Sequence, residues 1–310
     1  MSVEDELTKF MPEKDTVITI GVFDGVHLGH KQLTSELTRQ AIQKNLLSGV
    51  VTFRQHPEDI ISPGKRLPFL TDMPSRIKLL KDAGVDFVVP LTFSKELAGL
   101  DAKSFMTLLN KQLKMKSLVI GPDFALGKDR QGNIDTLKKL GGKMGFSVTV
   151  VPPLKIKGET VSSTAIRLAL AEGDMEKYRT MTGRAFSLSG KVVAGAHRGS
   201  GLGFPTANLD VSKGQALPPD GVYCGLAHIN GSMYQAMTNV GTNPTFGENE
   251  LTVESFLLNY DGDLYGHKIS VDFVSRLRDE IKFKNIRELK KQVADDVKRG
   301  KEILSATCGK

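Results

Sequence analysis

The sequence predicts an α/β protein with two parts, an N-terminal parallel sheet covered by helices and a small C-terminal antiparallel β-barrel with a closing helix. In the first part, short β-branched runs alternate with helical patterns, which is the spacing of a doubly wound parallel sheet. In the second part, strand patterns follow one another directly, and the Asn230-Gly231 dipeptide between two of them is typical of a hairpin turn. A length of 310 residues is enough for two hydrophobic cores.

The change of pattern predicts a domain boundary after Gly183, and we expect domains at 1–183 and 184–310. The parallel strands of the first domain are expected at 16–20, 49–53, 87–91, 117–121 and 148–151. Its longer helices are expected at 31–45, 74–82, 102–113 and 133–144. In the first of these helices, Leu33, Leu37 and Ile42 are spaced to form one apolar face. The second domain is expected to contain strands 186–193, 222–229, 232–239, 251–260 and 268–276, and a helix at 286–304.

Composition narrows the class of protein. Hydrophobic residues make up 40% of the chain and charged residues 25%, which is ordinary for a soluble globular protein. Cys224 and Cys308 lie far apart and outside any metal-binding spacing, so we expect a reduced, cytoplasmic protein. The acidic first residues do not resemble a secretory signal, and no apolar run is long enough to span a bilayer, so no membrane partner is expected. The net charge of +7 points to anionic ligands, and its dispersed lysines favour bound phosphates over nucleic acid.

A ten-residue string, Gly-Val-Phe-Asp-Gly-Val-His-Leu-Gly-His at 21–30, lies between the first predicted strand and the first helix. Nucleotides bind at such carboxyl ends of strands in open α/β sheets. Gly21 and Gly25 let a ligand approach the backbone, and His27 and His30 lie on one face of a helix start. Helix N-terminal amides favour phosphate, and two imidazoles beside them can stabilise a phosphoryl transition state. Two surface histidines after a tight turn, or a pair of metal ligands, are the alternatives.

Three further segments of the first half are candidates. The loop 121–127 follows the fourth predicted strand and can reach the same crevice, unless it only turns the chain. Ser163 and Thr164 are good helix caps and phosphate donors, and Arg167 can hold phosphate oxygens in bidentate fashion. An ordinary capped helix with a solvated arginine is the alternative. His56 follows the second predicted strand and is a weaker candidate, because a single loop histidine is more often not a ligand contact.

The second half has two candidate features. The glycine-rich stretch 199–208 can wrap a diphosphate with backbone amides, unless it is only a hairpin. Thr206 and Asn208 face one way in an extended segment and offer hard oxygens to Mg²⁺ and phosphate. Glu254 lies in a mostly apolar strand, where a carboxylate is costly to bury. It either lies on a solvated face or accepts the proton of a bound alcohol that attacks the γ-phosphate of ATP.

The string at 21–30 resembles the H-x-G-H signature of nucleotidylyltransferases, and its full wording resembles the adenylyltransferase module of prokaryotic FAD synthetases. The Ser-Ser-Thr-x-Ile-Arg segment at 162–167 matches the segment that binds ATP phosphates in that family. The resemblance implies a Rossmann-like nucleotidylyltransferase domain in which His27, His30 and Arg167 act on the reacting phosphates. It further implies nucleotide or flavin contacts for Gly21, Phe23, Asp24, Gly29, His56, Asp123, Phe124, Ser163 and Thr164.

Residues 184–310 resemble riboflavin kinase. The resemblance rests on Gly-Phe-Pro-Thr-Ala-Asn at 203–208, Asn-Val-Gly-x-x-Pro-Thr-Phe at 239–246, Val-Glu at 253–254 and Asp-Leu-Tyr-Gly at 263–266. It implies that Thr206 and Asn208 bind Mg²⁺ and ATP and that Glu254 is the catalytic base. It further implies substrate contacts for Gly203, Pro205, Arg276 and Arg278.

Together the two resemblances imply a bifunctional riboflavin kinase/FAD synthetase. One module phosphorylates riboflavin with ATP to give FMN, and the other transfers AMP from a second ATP to FMN, which gives FAD and pyrophosphate. The implied cofactor is Mg²⁺, and the implied partners are riboflavin, FMN, FAD and ATP, bound to a monomer or transient homo-oligomer in the cytoplasm. Two alternatives stay open: a flavin-responsive nucleic-acid regulator, or a chain with one inactive module. Departures from the family pattern at Gln55, Leu126 and 181–182 make the adenylyltransferase the module more open to doubt.

Overall fold

The computed structural model of the chain describes residues 2–62, 64, 67–194, 204–212, 214–242 and 251–308. The chain divides into two compact units, Met1–Ser163 and Thr164–Lys310. The strands of the first unit are β1 (Thr16–Ile20), β2 (Leu47–Phe53), β3 (Phe87–Leu91), β4 (Met115–Ile120), β5 (Ser147–Val150) and the short pair β6 (Lys155–Ile156) and β7 (Glu159–Thr160). Its helices are α1 (Val3–Thr8), α2 (Leu28–Lys44), α3 (Pro57–Ile61), α4 (Met73–Asp82), α5 (Lys95–Gly99), α6 (Ala102–Leu113) and α7 (Ile134–Met144).

The second unit holds the remaining elements. Helix α8 (Ser163–Ala171) starts at the division and is followed by α9 (Met175–Thr182). The strands are β8 (Phe186–Val193), β9 (Thr206–Val211), β10 (Gly221–Ile229), β11 (Ser232–Thr242), β12 (Leu251–Leu257) and β13 (Lys268–Arg278), and α10 (Ile286–Cys308) follows them.

Strands β1 to β5 form a parallel sheet in the order β3-β2-β1-β4-β5. The sheet separates two hydrophobic cores because side chains alternate along each strand. Ile18 and Ile20 pack into the core that contains residues of α1, α6 and α7, whereas Val17 packs into the core that contains residues of α2 and α4. Strands buried on both faces need nearly continuous apolar runs, and this explains the β-branched segments in the sequence. Since β1 is central, the residues after it lie in the middle of the carboxyl edge.

The expected fold class is confirmed, and so are the five parallel strands and four long helices of the first unit. The predicted apolar face of α2 is wrong at Ile42, whose side chain is 82% exposed. Ala41, one helical turn after Leu37, is buried in its place. The prediction missed α1, α3 and α5, which have five or six residues each and are too short to display a helical period.

Strands β8 to β13 form a closed antiparallel barrel in the order β10-β11-β12-β9-β8-β13. Five of these strands were predicted, and the sixth, β9, lies between β12 and β8. Because β9 pairs with both neighbours, it closes the sheet and leaves no free edge between them. Helix α10 packs against the barrel strands, and its Leu304 shares a hydrophobic cluster with Cys224 on β10 and Met237 on β11.

Helix α9 packs against β8 and β13 of the barrel. Its Tyr178 is 1% exposed and meets the Phe186 ring edge-on at 5.4 Å between ring centroids. Met175 and Met181, on the same helix, are buried as well. The predicted domain boundary at 183/184 falls directly after α9 and stays a prediction. None of the helices among the described residues is long and apolar enough to cross a membrane.

We expect a fragment of residues 164–310 to unfold at a clearly higher temperature than a fragment of residues 184–310. Loss of α9 exposes the apolar side chains it covers, and each buried apolar side chain contributes roughly 1.5–3 kcal/mol. A loss of this size lowers the midpoint of thermal unfolding by at least about 5 °C. Circular dichroism melts of the two fragments, with the full chain as reference, measure the difference. Equal midpoints would show that α9 adds nothing to the barrel.

Candidate active sites

The turn between β1 and α2 has an unusual backbone. Phe23, Gly25 and Val26 have φ angles of 52°, 79° and 36°, in the left-handed region that L-residues seldom adopt. Gly25 adopts such an angle without strain, whereas Phe23 and Val26 do not. Both of these side chains are buried in the core next to α2, and their burial helps to offset the strain. Helix α2 therefore begins immediately after this turn.

His27 is the N-cap of α2, and its Nδ1 accepts a hydrogen bond of 3.2 Å from the backbone N–H of His30. The two imidazole rings stack with their centroids 3.6 Å apart, and the Phe23 ring lies 5.0 Å from the His30 ring. A Cβ at Gly29 would lie 3.2 Å from the His27 ring and 3.3 Å from the Val161 carbonyl oxygen, so only glycine fits without a shift. The structure thus brings two imidazoles to the N-terminus of a helix, an arrangement suited to phosphate.

Asp24, in the middle of the same turn, is 1% exposed. Its carboxylate accepts hydrogen bonds from the backbone N–H groups of Leu70 (3.0 Å) and Thr71 (3.2 Å), and it lies 3.6 Å from the guanidinium of Arg76. Its backbone carbonyl accepts a hydrogen bond of 3.0 Å from Ser163 Oγ. In this structure the Asp24 side chain binds other parts of the protein, and Ser163 is held at the turn.

The other candidates of the first half lie in four places. His56 is 6% exposed, stacks on Phe69 at 4.2 Å and approaches the Asp24 carboxylate at 3.8 Å. Because β1 and β4 are neighbours, the loop with Asp123 and Phe124 starts at the same sheet edge as the turn at 21–30. In this loop Asp123 is exposed, and Phe124 packs against the core beneath it. Gly21 follows the last residue of β1, whereas Thr164 and Arg167 lie early in α8, within the second unit.

Three polar side chains form a row across the barrel strands. Glu254 on β12 pairs in register with Asn208 on β9 and with Asn239 on β11. Thr206 is two residues before Asn208, so both side chains lie on the same face of β9, and Thr206 is opposite Phe256 on β12. The neighbours of Glu254 along β12, Val253 and Ser255, are buried on the opposite face of the strand. This alternation separates Glu254 from the barrel interior.

Glu254 lines a cavity of about 680 Å³ between the barrel strands and α10. The residues that line it are Phe204, Thr206, Val222, Met237, Asn239, Glu254, Phe256, Arg278, Glu280, Ile281, Lys282, Phe283, Leu289, Val293 and Asp296. The set combines apolar walls with a few polar groups, as is typical of small-molecule sites. Of the residues implied by the riboflavin kinase resemblance, Thr206, Glu254 and Arg278 lie in this cavity.

Sequence reasoning missed several polar groups of the cavity. Glu280 accepts a hydrogen bond of 2.9 Å from Asn239 Nδ2, and Asp296 on α10 holds Arg278 in a bidentate ion pair with contacts of 2.8–3.0 Å. Asn239 belongs to the Asn-Val-Gly motif that carries the riboflavin kinase resemblance, although it was not among the predicted site residues, and no local pattern marks Asp296, 18 residues from Arg278.

Arg276 is not among the residues that line the cavity. Its Nη2 donates a hydrogen bond of 2.6 Å to the carbonyl oxygen of Asp220 and lies 2.7 Å from the carboxylate of Asp279. It contacts the turn at Gly173, near the buried Tyr223, where burial raises the pKa of the phenol. Pro205 is exposed directly before β9. Gly203, with the rest of the stretch 199–203 and the motif residues 243–246, lies outside the described residues.

The donor atoms near Glu254 fit a hard divalent cation. Thr206, Asn208 and Glu254 offer hydroxyl, amide and carboxylate oxygens, which are the ligands that Mg²⁺ prefers. The part of the chain that the structure describes has no group of three or more His, Cys, Asp or Glu side chains placed to hold a metal. Waters and substrate phosphates usually complete the coordination of Mg²⁺ in kinases.

Two family models match successive parts of the chain. The family model described as FAD synthetase matches residues 9–165, and the one described as riboflavin kinase matches residues 182–304. The chain is 35% identical over 298 residues to the bifunctional riboflavin kinase/FMN adenylyltransferase of Escherichia coli K12, which covers 96% of this chain and 95% of the relative. It is 33% identical over 286 residues to the protein of the same name from Bacillus subtilis, with 91% and 90% covered.

A solved structure is similar over almost the whole chain. It is titled as a macrolide-efflux protein from Streptococcus pneumoniae, and it matches with a TM-score of 0.88 at 31% identity, covering 95% of this chain and 96% of that one. The fold and the family matches define a two-module, ATP-dependent transferase that makes flavin nucleotides. The chain belongs to the bifunctional riboflavin kinase/FMN adenylyltransferase family. The expected family and enzyme class are confirmed, and enzymes of these families generally need a divalent metal.

The cap at His27 predicts a measurable difference between two substitutions. His27→Ala removes the acceptor of the His30 N–H, and loss of a helix cap typically costs about 0.5–2 kcal/mol. His27→Asn supplies a good capping oxygen in its place. We expect the alanine variant to unfold at a lower temperature than both the parent and the asparagine variant. A melt followed by circular dichroism measures the order, and two equally destabilised variants would contradict the capping role.

Proposed function

We propose that residues 184–310 phosphorylate riboflavin and that residues 1–183 adenylylate the resulting FMN. For the kinase, the supporting observation is Glu254, which lies between two amide side chains and lines a cavity large enough for a small molecule. For the adenylyltransferase, it is the stacked His27 and His30 at the N-terminus of α2. The proposed cation is Mg²⁺, the substrates are riboflavin, FMN and ATP, and the reactions take place in the cytoplasm on a monomer or transient homo-oligomer.

In the kinase reaction, the terminal hydroxyl oxygen of riboflavin attacks the γ-phosphorus of ATP. The bond from that phosphorus to the β,γ-bridging oxygen breaks, and ADP leaves. Glu254 accepts the hydroxyl proton as the new oxygen–phosphorus bond forms. Thr206 and Asn208 would hold Mg²⁺, which would neutralise phosphate charge. Arg276 and Arg278 are assigned to the flavin side, and Gly203 and Pro205 to the nucleotide side.

In the adenylyl transfer, a phosphate oxygen of FMN attacks the α-phosphorus of ATP, and pyrophosphate leaves. The nucleophile is already ionised, so positioning and charge stabilisation replace a strong base. His27, His30 and the first amides of α2 donate hydrogen bonds to the phosphates. Arg167, Ser163 and Thr164 are assigned to ATP phosphates. Gly21, Phe23, Asp24, Gly29, His56, Asp123 and Phe124 are assigned to the walls of the nucleotide and flavin pocket.

The alternatives that the sequence leaves open are not favoured. Both family models match, and the relatives are named for both activities, which argues against a chain with one inactive module. The same names argue against a flavin-responsive regulator of nucleic acids. The departures at Gln55 and Leu126 lie outside the histidine pair and the helix start that it caps.

His30→Ala should suppress FAD formation and leave FMN formation within about twofold of the parent. The imidazole is proposed to stabilise charge in the adenylyl-transfer transition state, and loss of such a donor typically costs about 10²–10³ in kcat. Chromatography of flavins after incubation with ATP measures both products in one sample. Glu254→Gln serves as the reciprocal control. Equal loss of both activities in a folded His30→Ala protein would contradict separate sites.

Glu254→Gln should lower riboflavin phosphorylation by about 10²–10⁴, the usual contribution of a general base. The amide keeps the size of the side chain but cannot accept the proton, so riboflavin and ATP should still bind. FAD formation from supplied FMN should be nearly unchanged. Glu302→Gln, an exposed carboxylate on α10 outside the cavity, is the matched control. A parental phosphorylation rate in Glu254→Gln would mean that the base lies elsewhere.

A further inference from the structure

Arg76 is a buried charge next to the proposed adenylyl-transfer site. It lies in the first turn of α4 and is 1% exposed. Its Nη1 donates hydrogen bonds to the carbonyl oxygens of Val22 (3.0 Å) and Phe53 (2.9 Å), and its Nη2 donates to that of Thr71 (3.3 Å). Val22 belongs to the turn after β1, and Phe53 is the last residue of β2. One guanidinium thus joins the carboxyl ends of two neighbouring strands to the segment before α4.

The charge of Arg76 is balanced within the same cluster. The Asp24 carboxylate lies 3.6 Å from Nη2, and the guanidinium carbon lies 4.4 Å above the centre of the Phe69 ring. A buried ion pair is often no more stabilising than apolar side chains of similar volume, because both charges lose their water. A buried pair of this kind can instead specify one conformation of the groups around it.

That conformation is the turn that carries the histidines. Arg76 holds the carbonyl of Val22, Asp24 is fixed by the N–H groups of Leu70 and Thr71, and Thr71 Oγ1 accepts a hydrogen bond of 3.2 Å from the N–H of Gly25. These contacts fix the backbone on both sides of Phe23 and at Gly25, the residue before Val26. Phe23 and Val26 are the two non-glycine residues of this turn that have a positive φ. His27 follows immediately and is linked to His30 by its cap and by ring stacking.

We propose that Arg76 is a positioning residue for adenylyl transfer. It sets the backbone of the turn at 22–25 and thereby the location of the stacked His27 and His30, without touching substrate itself. The inference rests on the proposed role of these histidines. A misplacement of catalytic groups by about 1 Å can lower a rate by about 10². The guanidinium fork is required, because a lysine ammonium carries the charge but cannot match several fixed carbonyls at once.

Arg76→Lys in the full chain tests the inference, with Arg39→Lys, an exposed arginine on α2, as the matched control. We expect kcat for FAD formation from FMN to fall by about 10- to 100-fold, with KM for ATP within about threefold of the parent. FMN formation from riboflavin, measured on the same preparation, should stay within about twofold. A parental kcat for FAD formation in Arg76→Lys would overturn the inference.

A double-mutant cycle with His30→Ala separates positioning from general stabilisation. If Arg76 acts through the histidines, Arg76→Lys should reduce FAD formation by a clearly smaller factor in the His30→Ala background, where only His27 remains to be displaced, than in the parent. The same reduction in both backgrounds would overturn the inference. A parental rate of FAD formation in the His30→Ala single variant would overturn the proposed function and this inference with it. A low rate in His30→Ala together with a parental rate in Arg76→Lys would overturn only the inference.

Thr71 gives a second test that leaves the buried charges in place. Thr71→Val removes the hydroxyl that accepts from the Gly25 N–H, and Thr71→Ser keeps it. We expect the rate of FAD formation to fall by at least about fivefold in Thr71→Val and to stay near the parental rate in Thr71→Ser. This comparison does not depend on Arg76→Lys, so it tests the inference even if that variant fails to fold. Equal rates of FAD formation in the two variants would mean that the buried hydrogen bonds to the turn do not position the histidines, which would overturn the inference.

Discussion

The first unit depends on a strained turn that buried polar contacts hold in place. Three of the four residues from Phe23 to Val26 have positive φ, and each non-glycine residue in such a conformation costs about 1–3 kcal/mol. Burial of Phe23 and Val26, together with hydrogen bonds to Asp24, stabilises the conformation. Without this turn, α2 would not start at Leu28, and the helix amides and imidazoles would not lie together at the central strand of the sheet.

The barrel depends on a comparable constraint, which is the register of β9. This strand pairs with β12 so that Asn208 is opposite Glu254, and it pairs with β8 on its other side. A shift by one residue would turn Thr206 and Asn208 to the other face of the sheet, because side chains alternate with a period of two. The register that closes the barrel therefore also brings the hydroxyl, amide and carboxylate oxygens together.

The two sites solve different chemical problems with different parts. A hydroxyl nucleophile must lose a proton, and the barrel offers a carboxylate beside hard oxygen donors. In the proposed adenylyl transfer the phosphate nucleophile is already ionised, and the first unit has helix amides and imidazoles, groups that are suited to donate to phosphate. The His27 and His30 pair lies in the first unit, and the row of Asn208, Asn239 and Glu254 lies in the second.

The sequence by itself determined the fold class, the elements long enough to show a period, and the strings that mark both modules. The run at 16–20 predicted β1 because a strand buried on both faces is typically a nearly continuous run of apolar and β-branched residues. The His27 and His30 pair, Thr206, Asn208 and Glu254 could be named because glycine-rich turns and isolated polar residues in apolar strands are local signals. β9 was missed as a strand because its residues also read as part of a glycine-rich loop.

Only the tertiary structure decided which polar groups meet across long separations in the chain. Arg76 is 54 residues from Val22, and Asp296 is 18 residues from Arg278. Such contacts leave no periodic trace, because Arg76, Arg278 and Asp296 look like ordinary surface charges in the sequence and a backbone carbonyl such as that of Val22 carries no sequence signal. The structure also decided that Asp24 binds backbone N–H groups and that Ile42 is exposed. The physical reason is that burial and hydrogen-bond partners are set by the packing of whole elements, whereas a local pattern specifies only the elements.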